Sequence, residues 1–200
     1  MDWYEQEVER VVAERDQLAY KPETIFYGSS SFTKWETLYH DFSGYKPVNL
    51  GFGGSTLAAC CWFFDRIVAP LPAPQRIVIY AGDNDLGDGR NPEEVFIFYR
   101  DLMRQITEVF GEVPCYYISI KPSLQRWNII GAIRELNRLI QDEVRRHESQ
   151  HYIDITQQML TAGGTPDPAL FEEDGLHLSP KGYTCWTRII KAALGAPAQP

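Results

Sequence analysis

The sequence predicts an α/β protein: a single-domain three-layer α/β/α sandwich around a mainly parallel five-stranded sheet. Three observations predict it. Apolar segments of strand length alternate with amphipathic segments of helix length along the whole chain. The clearest strand, RIVIYAG at 76–82, is a continuous apolar run, as expected when helices cover both faces of a sheet. No internal repeat, low-complexity tract or linker interrupts the alternation, so residues 1–200 read as one domain.

The elements follow in order. Residues 2–18 place Trp3, Tyr4, Val8, Val11 and Val12 at helical spacing, giving an N-terminal surface helix within 1–20. TIFYG (24–28) and PVNLG (47–51) are short strands, each ending in glycine. Residues 56–68 form a helix that the prolines of APLPAP bring to an end. After the 76–82 strand, Asn91 caps a helix with Pro92 in its first turn, running to about Phe110. VPCYYISI (113–120) is a strand, 127–147 a long amphipathic helix, and HYIDI (151–155) a short strand. A last helix begins at Pro180, and residues 196–200 form a frayed tail. In such a flavodoxin-like sheet, ligands bind beyond the carboxyl ends of the strands.

Composition narrows the function. The net charge is −8, with only short basic clusters, which makes the chain a poor candidate for phosphate-backbone binding; no nucleic-acid partner is expected. No apolar run approaches the ~18 residues of a membrane span. The start MDWYEQEVERVVAERDQ is too acidic for a signal peptide, and Cys60, Cys61, Cys115 and Cys185 have no disulfide or zinc spacing. A cytoplasmic protein with packed, reduced thiols is the expectation.

Polar motifs cluster where strands end: Gly28-Ser29-Ser30-Ser31, NLGFGGST (49–56), AGDNDLGDG (81–89) and, before the last helix, EDGLHLSPKGY (173–183). The last places Asp174 three residues before His177. A carboxylate at that spacing can accept from Nδ1–H and leave Nε2 as a base. A serine hydroxyl at the first strand end, glycine N–H groups after the second and the Asn84 amide after the third complete the parts needed for acyl transfer.

These four blocks resemble those of the SGNH hydrolase superfamily, the GDSL-type esterases and lipases. The variant pattern GSSS, NLGFGGS, AGDND and DGLHL is similar to a platelet-activating-factor-acetylhydrolase-like bacterial subgroup. The resemblance spans residues 24 to about 190. It implies Ser30 as nucleophile, His177 as base and Asp174 as its orienting acid. The oxyanion donors it implies are the N–H groups of Ser30 and Gly54 and the Asn84 amide, with no metal or cofactor. Two positions depart from the common form: Ser29 stands for the usual Asp, and Asp83 stands where a second Gly is frequent. The extra charge of Asp83 is expected to discourage anionic substrates. Trp35 and Trp127 are candidates for a pocket wall, with a packing role as the alternative for each.

The expected activity is hydrolysis of short-chain, chiefly acetyl, esters of a carbohydrate or small alcohol, without membrane attachment. Two other functions fit the same fold: a non-catalytic module binding a glycan or lipid head group, and an acyltransferase using the same triad. Completeness of the four blocks favours an enzyme. The run DNDLGDG lacks the glycine that a calcium loop needs at its sixth position. GFGGST lacks dinucleotide spacing, and Phe32 breaks the G-x-S-x-G elbow.

Overall fold

The computed structural model describes residues 1–197. After a 3-10 turn at Asp2–Tyr4, the elements are α1 (Glu5–Asp16), β1 (Thr24–Gly28), α2 (Ser30–Thr33), α3 (Leu38–Asp41), β2 (Pro47–Gly51), α4 (Leu57–Ile67), β3 (Arg76–Tyr80), α5 (Asp83–Gly87), α6 (Pro92–Phe110), β4 (Cys115–Ile118), α7 (Ile130–Val144), β5 (Gln150–Ile153) and α8 (Pro180–Leu194). The five strands are all parallel in the order β2-β1-β3-β4-β5. That is the flavodoxin-like winding, whose switch point lies between β1 and β3. The tail expected over 196–200 falls, from residue 198 onward, outside the described residues.

Alternation along the strands builds a core on each face. Ile25, Tyr27, Val48, Leu50, Ile77 and Ile79 point to one side, where α1, α4, α6 and α7 cover them. Phe26, Val78, Tyr80 and Ile118 point to the other, under α2, α3 and α8. A strand's period of two makes this division unavoidable. Helix ends match their signals: Thr56, Asn91 and Ser179 each accept a backbone N–H with the side chain, and Pro92 and Pro180 open their helices.

Several expected boundaries shift for local reasons. The third strand stops at Tyr80 because Gly82 turns the chain at φ +112°. The fourth strand stops at Ile118; beyond it the Ile120 N–H donates to Asn137 Oδ1 instead of to a neighbouring strand. The helix expected over 127–147 starts as a 3-10 turn at Trp127–Ile129 and becomes α-helical at Ile130. Short helices α2, α3 and α5 occupy segments with no helical pattern, because one turn is too short to display a period.

Candidate active site

The site lies on the carboxyl rim of the sheet. Register puts Gly28 of β1 level with Gly51 of β2 and Tyr80 of β3, so the loops after all three strands emerge together. Ser30 opens α2 two residues beyond Gly28.

The Ser30 turn is fixed by its surroundings. A Cβ on Gly28 would lie 1.9 Å from the Tyr80 carbonyl oxygen, and its φ is +150°; no other residue fits there. The Ser29 N–H donates to that same carbonyl at 2.9 Å. Asn49 in β2 donates its side-chain amide to the Phe32 carbonyl, tying α2 to the sheet. Ser29 and Ser31 are buried, whereas Ser30 is partly exposed. The Ser31 carbonyl accepts from Tyr183 of α8. Of the three serines, Ser30 alone turns its hydroxyl to the imidazole.

The imidazole comes from a tight return between Phe171 and Leu178, which form an isolated antiparallel bridge. Within it, the Glu172 N–H donates to the His177 carbonyl at 2.8 Å. Asp174 shapes this return and aims the ring. Its Oδ1 accepts from the N–H groups of Leu176 and His177, each at 2.9 Å, and its Oδ2 lies 2.5 Å from His177 Nδ1. Burial works to raise the Asp174 pKa, but the His177 ring and the two backbone donors outweigh it and hold the carboxyl below its usual range. A carboxylate has no proton to give, so Nδ1 carries the hydrogen and Nε2 presents a lone pair. Ser30 Oγ donates to Nε2 at 3.1 Å. Lys34 Nζ lies 3.3 Å from the protonated Nδ1, a close approach of charge to a nitrogen with no lone pair free.

The loops after β1, β2 and β3 also carry hydrogen-bond donors. The Ser30 N–H is one of the unpaired first-turn donors of α2. Gly54 is exposed at φ +71°, and among the described residues its N–H donates to no partner, whereas that of Gly53 is taken by Glu7. Asn84 donates one amide hydrogen to the Ser55 carbonyl at 2.9 Å, and among the described residues its side chain makes no other hydrogen bond. The same loop is anchored from below. Asp85 is fully buried and accepts from the Leu57 N–H at 2.8 Å, at the start of α4. Burial raises its pKa to about 6, against the lowering effect of the backbone donors.

Two expectations need correction. Trp35 is 2% exposed and walls no pocket. It packs among Phe26, Phe32, Phe42, Tyr183 and Trp186 and donates its indole N–H to Asp41. The Asp83 charge does not face the site either: it is buried, with Lys121 Nζ 2.7 Å from its Oδ2. Lys121, 2% exposed, also donates to Tyr80 OH at 2.9 Å and reaches Ser31 Oγ at 3.4 Å. Trp127 is partly exposed, with the Arg134 guanidinium 6.0 Å from its ring. Lys121, Asp85 and Arg126 escaped the sequence reading. The signal was the unmatched Asp83: a buried carboxylate needs a cation, and IKPSLQR follows the next strand on the same rim.

Beside the imidazole, a groove of about 1230 Å³ runs between α2–α3 and α8; Lys34, Thr37, Glu172, Asp174, Thr184 and Arg188 are among its lining. Among the described residues, no group of three or more His, Cys, Asp and Glu side chains is placed to hold a metal ion. No helix among them is long and apolar enough to cross a membrane.

The fold and the family match together define an α/β enzyme of the acyl-hydrolase class. The chain belongs to the GDSL-like Lipase/Acylhydrolase family, which residues 17–185 match, and so is a carboxylic ester hydrolase. Solved structures share its fold. A Streptococcus pneumonia protein provisionally described as a platelet activating factor is 17% identical, with a TM-score of 0.85 over 97% of this chain and 95% of that one. A GDSL-like lipase from Bacteroides thetaiotaomicron is 19% identical, with a TM-score of 0.76 over 96% of each chain. An acetyl-xylooligosaccharide esterase from Geobacillus Stearmophilus is 14% identical, with a TM-score of 0.69 over 86% of this chain and 94% of that one. At such identities the likeness speaks for the fold alone. No curated protein matches the chain.

Proposed function

We propose that the protein hydrolyses short-chain acyl esters, acetyl esters above all, through Ser30, His177 and Asp174. The observation that carries this reading is the unbroken line from Asp174 Oδ2 through the imidazole to Ser30 Oγ. His177 Nε2 takes the hydroxyl proton as Ser30 attacks the ester carbonyl. Asp174 orients the ring and stabilises the imidazolium. The N–H groups of Ser30 and Gly54 and the free Asn84 amide hydrogen receive the oxyanion, and each such donor contributes roughly 3 kcal/mol. His177 then returns its proton to the leaving alcohol, and water enters through the same base to release the acid.

The preference for short acyl groups rests on the charged side chains Lys34, Glu172, Asp174 and Arg188, which line the groove beside the imidazole. The acetyl-xylooligosaccharide esterase of the same fold agrees with an acetylated, hydroxyl-rich alcohol. Four free cysteines suit a reducing compartment, and we place the protein in the cytoplasm; recovery of the native protein from another cell fraction would overturn that placement.

The test is turnover of p-nitrophenyl acetate against longer acyl esters. Acetate is expected to be the best substrate. In Ser30→Ala kcat is expected to fall by about 10⁴ or more, with an unchanged melting temperature. Undiminished turnover in that variant, or none in the wild type, would overturn the reading.

A further inference from the structure

The loop after β4 carries a cation that the proposed chemistry does not use. Arg126 lies across α5: a Cβ on Gly87 would fall 2.3 Å from its guanidinium carbon, so the plane rests directly on the backbone of that helix. Gly87 is three residues, less than one helical turn, beyond Asn84. On its other side the loop meets the His177 return, where the Gln125 N–H donates to the Gly175 carbonyl at 3.0 Å. The loop carrying Arg126 therefore touches both the helix of the candidate oxyanion donor and the return that carries His177.

Its hydrogen-bonding capacity is unspent. Nε is 3.8 Å from Asp83 Oδ1, within ion-pair range but beyond hydrogen-bond reach, and both atoms are buried without a partner. Among the described residues no guanidinium nitrogen of Arg126 makes a hydrogen bond, and its side chain is 23% exposed. Charge does not balance here either. Lys121 already neutralises Asp83, and no second carboxylate lies within 4 Å of either cation among the described residues. Two cations thus share one buried carboxylate, leaving one positive charge at the rim. A guanidinium with open donors is built to hold a carboxylate or phosphate in a two-pronged contact.

We propose that Arg126 recognises an anionic oxygen group, carboxylate or phosphate, on the alcohol portion of the ester. This rests on the hydrolase reading above. The alcohol side is chosen because the Arg126 loop is bonded to the return carrying His177, which protonates the leaving oxygen. Asp83, which by sequence alone argues against anionic substrates, instead anchors the cations that favour them.

Three acetyl esters with a shared phenol skeleton test it: 4-acetoxybenzoate, 4-acetoxyphenyl phosphate and neutral methyl 4-acetoxybenzoate. In the wild type, kcat/KM for at least one anionic ester should exceed that of the neutral ester by about tenfold. The advantage should shrink as NaCl is added. The two anionic arms separate carboxylate from phosphate. Arg126→Gln should bring the anionic-to-neutral ratio close to one, and Arg126→Lys should keep part of it. The ratio is internally controlled, since a folding defect lowers all three rates together; if Arg126→Gln does not fold, the wild-type salt series decides. Turnover of the neutral ester with no anionic advantage, or an advantage that survives Arg126→Gln, would overturn the assignment alone. Absence of turnover on all three and on p-nitrophenyl acetate would overturn the hydrolase reading beneath it.

Discussion

The Ser30 turn and the His177 return meet at one hydrogen bond but are held by opposite means. The serine side is set in the core: Gly28 against Tyr80, Ser29 and Ser31 buried, and Lys121 with Asp83 beneath. The imidazole side is an exposed loop shaped by its own short hydrogen bonds, with Asp174 accepting three of them. Hydroxyl position is therefore inherited from folding, whereas imidazole orientation is a local matter. Damage to the first should appear as lost stability, and damage to the second as lost rate in a protein that still folds.

The largest expected effect tests the local side. Asn at position 174 keeps an oxygen for the two backbone donors, but its other end presents an NH₂ to Nδ1. Asp174→Asn should lower kcat by about 10⁴ while the melting temperature changes little. A large fall in melting temperature with the rate retained would erase the contrast.

Next comes the core side. Lys121→Met leaves Asp83 buried without its closest cation, at a cost of about 3–5 kcal/mol, or roughly 10 °C in a thermal melt. Adding Asp83→Leu removes the stranded charge and should recover most of the loss. A double variant no better than the single one would show that packing, not charge, carries the effect.

The smallest effect concerns Asp85, which anchors the Gly54 loop through α4. Its carboxyl is protonated up to about pH 6 in the folded protein and to about 4 in an unfolded chain. Its contribution to stability is thus complete below about pH 4 and is lost as pH rises through about 6. Two pKa units correspond to about 3 kcal/mol. Asp85→Asn should gain on the wild type by up to that amount between pH 4.5 and 7.5, read from urea midpoints at both pH values. A difference independent of pH would contradict the burial argument.

This division also explains what the sequence could reveal. Strands, long helices and their caps were legible because each shows a repeating pattern or a Pro/Asn/Ser signal. Ser30, Asn84, Asp174 and His177 were legible as motifs at strand ends, and the structure brings them onto one rim. Lys121 and Arg126 were not, because a lysine or arginine just past a strand looks solvent-facing until the fold supplies Asp83 as its neighbour. Trp35 misled for a similar reason. Its position five residues past Ser30 is local, but its burial depends on Tyr183 and Trp186, about 150 positions away.

The Asn84 amide is aimed by the carbonyl of Ser55, and the His177 return by backbone N–H groups. Main-chain atoms are the same whatever residue a codon specifies. A substitution at position 55 that keeps the local fold therefore does not withdraw the acceptor on which Asn84 depends. Partners of this kind are largely exempt from point mutation, which leaves the rest of the rim free to drift toward new alcohols.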